Sequence, residues 1–248
     1  MPGAIAQRKI GAPHSSLYIG PAGWSYEDWE GIVYARPRVR GFRPLAYLAH
    51  YFNCVEINST FYRIPPPSVA DKWVAQVEPF DDFLFSVKLW EGFTHVPASG
   101  GQVDAQALKQ WGAALDPLRR SDRLGAVLVQ FPWSFRRTRA NASYLDVLTE
   151  NLTPDPLVIE MRHDSWNSKD YLAWLRERAC AFCNIDQPLL SRCLPPTEHV
   201  TASLAYVRFH GRNRENWFRE DAEVAERYKY LYSKEGLSDW VERFRRLI

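Results

Sequence analysis

Cysteine is scarce in this chain: Cys54, Cys180, Cys183 and Cys193 are the whole supply in 248 residues. So few thiols exclude a disulfide-built scaffold and fit a reduced, cytoplasmic compartment. Cys180 and Cys183 form one C-x-x-C inside the apolar run "CAFCNID", with no second pair. A zinc site lacks ligands there, and two buried reduced thiols is the better reading. The opening "MPGAIAQRKIGAPHSS" has no continuous apolar stretch of signal-peptide length. Residues 1–16 therefore read as a loose tail ahead of one domain at 17–248. No window is apolar for long enough to cross a membrane, so no membrane partner is expected. Neither sign of charge is in excess, with 31 basic against 29 acidic side chains and a net charge of +2. That balance demands no polyanionic partner. G-x-S-x-G, the phosphate-binding P-loop and the dinucleotide fingerprint are all missing. Serine hydrolases, P-loop enzymes and ordinary NAD enzymes drop out with them.

Apolar side chains are plentiful, at 46%, and include ten Trp, twelve Tyr and thirteen Phe. The length suits one large α/β domain with a sizeable core. Seven strand-like runs occur in order: "LYIGPAGW" (17–24), "CVEINST" (54–60), "FLFSVKLW" (83–90), "LGAVLVQF" (124–131), "PLVIEMR" (156–162), "CAFCNID" (180–186) and "LAYVRFHG" (204–211). Between them lie helix-like segments with apolar spacings of three and four. "PLAYLAHYF" opens on Pro44, "SVADKWVAQV" on Ser68 as cap, and "DAQALKQWGAALDPL", "NASYLDVLTEN" and "SKDYLAWLRERA" on Asp, Asn and Ser.

Alternating strands and helices predict parallel βαβ units. An open doubly wound sheet would usually carry a glycine-rich phosphate turn after its first strand, and "GPAGWSYEDW" does not have that spacing. Such a sheet is also covered on both faces and reads apolar throughout. Here the runs alternate instead. Glu56, Asn58 and Thr60 share one parity, as do Ser86 and Lys88, Glu160 and Arg162, Asn184 and Asp186, and Tyr206, Arg208 and His210; Gln130 is the fourth run's contribution. These polar residues gather at the C-terminal strand ends, where barrel enzymes build their sites. The expected fold is thus a TIM-type (β/α) barrel with seven parallel strands and no visible eighth. The charges at its mouth, Lys88, Arg162 and Arg208 against Glu56, Glu160 and Asp186, are expected to neutralise one another around a ring.

The stretches "GWSYEDWEG", "VEINSTFYRIP", "FSVKLWEGFTH", "QFP", "IEMRHDSW", "NID" and "YVRFHGRN" resemble, in order and spacing, the YecE-like family, domain of unknown function 72. The resemblance runs from about Tyr18 to the end. It implies a TIM-type barrel and supplies no established reaction, so function rests on the site. Among the positions matching its pattern are Trp24, Tyr26, Asn58, Tyr62, His95, Gln130 and Trp166. The family pattern continues beyond the end of this chain with an asparagine-rich strand and a closing helix. A gap beside the seventh strand is therefore expected, filled by a helix, a neighbouring chain or nothing, with self-association through the open edge.

Three chemistries compete for this mouth. Glu56, Glu160, Asp186 and His210 have the donor types for a divalent metal, but three cations in the same ring and the absence of H-x-H and H-E-x-x-H disfavour it. Glu56 and Glu160, on strands across the barrel, form a carboxylate pair of the kind glycoside hydrolysis uses, with Asp186 and His210 as catalytic partners. The cations favour a phosphate or carboxylate, and the rings of Trp24, Tyr26, Tyr62 and Trp166 a stacked sugar or base. The expectation is an enzyme acting by carboxylate acid/base chemistry on an anionic, ring-containing substrate: a phosphosugar, nucleotide or nucleic acid. Trp24, Tyr26, Asn58, Tyr62, Lys88, His95, Gln130, Arg162, Trp166 and Arg208 would bind it, with no resident metal. The alternative is a non-catalytic module holding a small anionic ligand or nucleic acid in the same mouth.

Overall fold

In a computed structural model, residues 17–37, 39–95, 102–215, 217, 219, 226 and 228–247 are described. The tail read at 1–16 lies outside them. Six strands form one sheet in the order of the chain: β1 (Cys54–Ile57), β2 (Leu84–Lys88), β3 (Leu124–Gln130), β4 (Leu157–Glu160), β5 (Ala181–Asp186) and β6 (Tyr206–Phe209). Every neighbouring pair is parallel. The helices are α1 (Pro44–Leu48), α2 (Ser59–Tyr62), α3 (Pro67–Val77), α4 (Glu91–Thr94), α5 (Ala105–Arg120), α6 (Arg139–Leu152), α7 (Lys169–Glu177) and α8 (Lys234–Leu247).

The sheet is not flat. Neighbouring strands stand about 4.8 Å apart, so β1 and β6 of a flat sheet would be about 24 Å from each other. Yet Arg208 of β6 donates to both carboxylate oxygens of Glu56 on β1, at 2.9 and 2.6 Å. The sheet therefore curls into a parallel half-barrel whose concave face closes around that contact. This corrects the seven-stranded barrel expected from the sequence. The run at 17–24 contributes a single parallel bridge, Ala22 to Glu56. Pro21 has no N–H to give a ladder, and Gly23 sits at φ +88°, outside the extended region. Only Glu56 N to Pro21 O and Gly23 N to Glu56 O remain, at 3.0 and 2.8 Å. Gly20 approaches the Cys54 carbonyl so closely that a Cβ would stand 1.8 Å from its oxygen.

The convex face is the core. Val55, Ile57, Phe85, Val87, Val127, Val129, Ile159 and Phe182 point outward and are buried. Trp73 of α3, Trp111 and Leu118 of α5, Leu145 and Leu148 of α6 and Leu175 of α7 are buried in the same cluster. Two expected caps hold: Asp104 accepts from Gln106 N and Ala107 N, and Ser168 from Tyr171 N. Two do not. Helix α3 starts on Pro67 without a side-chain cap, and α6 is capped by Thr138.

Candidate functional site

Register assigns each side chain to a face, because paired residues of parallel strands point the same way. Glu56 pairs with Ser86, Lys88 with Leu128, Gln130 with Glu160, and Cys183 and Ile185 with Tyr206 and Arg208. All of these line the concave face. Toward the N-terminal ends it is filled by Ala126, Leu128, Val158 and Ala181, which leaves the charged groups at the mouth.

At the centre lies Glu160, 0% exposed. Arg162 Nε donates to its Oε1 at 2.6 Å and Arg208 Nη1 to its Oε2 at 2.5 Å. His210 Nε2 lies 3.1 Å from Oε1. Burial works against ionisation of Glu160, but Arg208, Arg162 and His210 outweigh it and hold the carboxyl well below the usual range. His210 shows the opposite balance: burial and the facing Arg162 and Arg208 push it down to about 3 despite Glu160. The imidazole is therefore neutral. Facing an ionised carboxylate, it carries its proton on Nε2 and donates. The 3.4 Å approach of Arg208 Nη1 to that nitrogen is then a contact between donors, not a hydrogen bond.

Arg208 bridges the two carboxylates, clamping Glu56 through two donors and Glu160 through one. Tyr206 Oη donates toward Glu56 Oε2 at 3.1 Å and lies 2.7 Å from Ser86 Oγ. Arg162 stacks over Trp217, 5.5 Å from its ring centre. Lys88 differs from both arginines. Its Nζ sits 4.0 Å above the Phe61 ring, and no carboxylate among the described residues forms an ion pair with it. Burial and the nearby Arg208 lower it to about 8. Across the same ring, His95 meets Phe61 edge-on at 4.9 Å. Burial, Lys88 and Arg162 bring His95 down to about 4. Thr94 Oγ1 is 2.9 Å from its Nδ1, and the Gln130 amide nitrogen 3.5 Å from its Nε2. Gln130 also donates to Phe131 O at 3.1 Å.

Glu56, Lys88, His95, Gln130, Glu160, Arg162, Arg208 and His210 thus come together as the sequence pattern expects. Three candidates do not join them. Asp186 pairs with Phe209 in the ladder and so points to the convex face, where Arg212 Nε holds it at 3.0 and 3.1 Å. Trp166 is 1% exposed, donates to Phe135 O at 2.7 Å and lies parallel to the Phe135 ring: it is core. Trp24 packs edge-on against Trp73. Glu160, being buried and ionised, has no proton to deliver at neutral pH, which removes it as a general acid. Asn58 follows β1 rather than lying in it, and its Oδ1 is buried with no hydrogen-bond partner among the described residues. Thr60 turns away into α2, where its hydroxyl donates to Lys88 O. Tyr26 and Tyr62 are exposed at the rim, with Tyr62 edge-on to Phe61. Phe61, Tyr206 and Cys183 complete the mouth. Cys183, whose Sγ lies 3.8 Å from Glu160 Oε2, shares its parity with Ala181 and Ile185, so the polar pattern gives no signal for it.

All four cysteines are free. Among the described residues, no three His, Cys, Asp or Glu side chains converge to hold a metal ion, and no helix is long and apolar enough to cross a membrane. The four residues weighed as a metal set are divided by the fold: Arg208 stands between Glu56 and Glu160, and Asp186 is on the other face.

Comparison with known proteins agrees with this architecture. A Bacillus subtilis protein, UPF0759 protein YunF, is 29% identical over 247 residues, covering 93% of this chain and 84% of its own. UPF0759 protein YecE of Escherichia coli K12 is 30% identical over 155 residues, 62% of this chain and 51% of that protein. The crystal structure of a DUF72 family protein from Thermotoga maritima superimposes with a TM-score of 0.79 at 36% identity, covering 93% of this chain and 88% of that one. A DUF72 family protein from Enterococcus faecalis gives 0.73 at 26% identity, over 83% and 77%. Residues 18–247 match the family described as protein of unknown function DUF72, and the chain belongs to that family.

Proposed function

We propose that the concave mouth binds an anionic, ring-containing substrate, such as a phosphosugar, a nucleotide or nucleic acid, and acts on a phosphodiester or glycosidic bond. One observation carries the reading. Lys88, Arg162 and Arg208 converge with only Glu56 and Glu160, while His95 and His210 are neutral. The ring holds one positive charge more than it neutralises, and that charge sits on Lys88, which has no carboxylate partner among the described residues. A buried excess charge is costly unless a counter-charge arrives. Phe61, Tyr62 and Tyr26 offer faces and edges to a ring beside it. Within this scheme Glu160 positions the arginines, and Glu56, 7% exposed, is the carboxylate that could exchange a proton with a substrate.

The second reading, a binding module without turnover, draws on the same clamp, since both Glu56 oxygens already receive donors from Arg208. A panel of inorganic phosphate, phosphosugars, nucleotides and short oligonucleotides, with and without Mg²⁺, Mn²⁺ or Zn²⁺, separates the two. Calorimetry should find binding that weakens with salt, and product analysis should find turnover that Glu56→Gln removes. Binding without turnover selects the module; failure of every anion to bind defeats both.

A further inference from the structure

We propose that Lys88 is a nucleophilic amine that forms an imine with an aldehyde or ketone carrying an anionic group, a narrower assignment that rests on the mouth being an anion site. The geometry argues for it in three ways. Lys88 stands at the C-terminal end of β2 on the concave face and is half-buried, with its Nζ on the ring of Phe61. Its amine rests on the Phe61 ring and has no ion pair among the described residues, although two glutamates share the mouth. A lysine placed only to neutralise charge would be expected against one of them. Arg208 already takes both. The groups facing Lys88 are Arg208 from β6, Arg162 after β4, Glu160 of β4, Glu56 of β1 and His95 after α4. Burial of Lys88 and the charge of Arg208, with a smaller push from Arg162, work against its ammonium and outweigh Glu160 and Glu56, so loss of the proton is favoured, the usual way an amine is activated toward carbonyls.

The step balances without an oxidant. The nitrogen lone pair attacks the carbonyl carbon, the C–N bond forms, and the oxygen takes up a proton. Loss of water then leaves a protonated imine, so ammonium plus carbonyl gives iminium plus water. The charge on Lys88 is conserved, and the phosphate or carboxylate of the substrate meets Arg162 and the iminium together. Addition of water reverses the step.

The test uses pyridoxal 5′-phosphate, an anionic aromatic aldehyde, at pH 7.5 with borohydride reduction and peptide mapping. The full chain carries six other lysines as internal controls: Lys9, Lys72, Lys109, Lys169, Lys229 and Lys234. With Lys88 at about 8 and an ordinary lysine near 10.4, the neutral amine fraction differs by about two hundredfold. Lower basicity offsets part of that advantage, and labelling of Lys88 at least about tenfold faster than any control is expected. Labelling spread evenly over the lysines overturns the proposal in the wild-type chain, with no variant needed. Lys88→Met should remove the fast adduct while melting as a folded protein. Pyridoxine 5′-phosphate, which has the ring and phosphate but no aldehyde, tests the anion site separately. If it binds and Lys88 is not labelled, the imine fails and the anion site stands. If it does not bind while a neutral aldehyde labels Lys88 selectively, the imine stands and the anion site fails. If neither happens, both fail.

Discussion

A single buried carboxylate organises the mouth. Glu160 accepts from Arg162, Arg208 and His210 at once, so Glu160→Gln takes from Arg162 its carboxylate partner and leaves Arg208 with Glu56 alone, both largely buried. Removing one member of a buried ion pair costs about 3–5 kcal/mol, and chemical denaturation should show a loss of that size. Glu56→Gln should cost less, because Arg208 keeps Glu160 and the amide keeps one acceptor. Acid sensitivity follows from the same residues. The folded Glu160 carboxyl lies well below its unfolded value, so its contribution is complete at neutral pH and is lost as pH falls through the folded value. His210 begins to act earlier. It is neutral in the fold down to about 3, whereas its unfolded imidazole takes up a proton near 6.5. Between those values the unfolded state binds more protons, and stability declines as pH falls. His210→Gln keeps an N–H donor for Glu160 and cannot titrate. Its denaturation midpoint should therefore change less between pH 7 and pH 5 than that of the wild type, and an unchanged slope would show that His210 is not the neutral donor described.

At the scale of elements, parity in the sequence was a good guide on five strands and misleading on one. On β1, β2, β3, β4 and β6 the polar residues do face the mouth. On β5 the expectation inverts: Asn184 and Asp186 are polar yet point outward, while Cys183 and Ile185 face the arginines. The reason lies in what covers that face. The loop after β5 lies over it, and Asn184 satisfies that loop's backbone by accepting from His199 N and donating to His199 O. Periodicity reports which face is polar, not whether the polar face is a site. The run at 17–24 fails for another reason, since Pro21 and the positive φ of Gly23 outweigh its apolar pattern. The tryptophan of "HDSW" follows a strand end, as a ligand-stacking ring would, but it packs in the core against Phe135 and Tyr171 of α7. Two variants check these assignments. Asp186→Asn should cost about 1.5–3 kcal/mol, the usual worth of a charge-assisted hydrogen bond, and leave phosphate or nucleotide affinity unchanged. Trp166→Phe should cost about 2 kcal/mol through the lost Phe135 contact and likewise leave affinity alone. A large loss of affinity in either would return that residue to the mouth.

Across the whole molecule, the side chain of Arg208 links the curl of the sheet to the chemistry of the mouth. Backbone ladders join β1 through β6 in series, and among the described residues no ladder joins β6 to β1. What brings those ends together on the concave side is Arg208 with Glu56, and Tyr206 with Glu56 and Ser86. The expected role of the bridging guanidinium is to fix how far the parallel ladders bend. Lysine has the charge but not the planar fork, and it cannot hold two oxygens of Glu56 while also reaching Glu160. Arg208→Lys should therefore lower stability by about 3–5 kcal/mol. The loss should also be distributed unevenly. Hydrogen exchange is expected to speed up at β1 and β6, where the curl opens, and to change least at β3, which is flanked by β2 and β4 and covered by α5 and α6. Opened ends would expose unpaired strand edges, so the variant should associate more than the wild type in light scattering. Uniform acceleration across all six strands would mean instead that Arg208 supports the core as a whole and that the curl is set by helix packing.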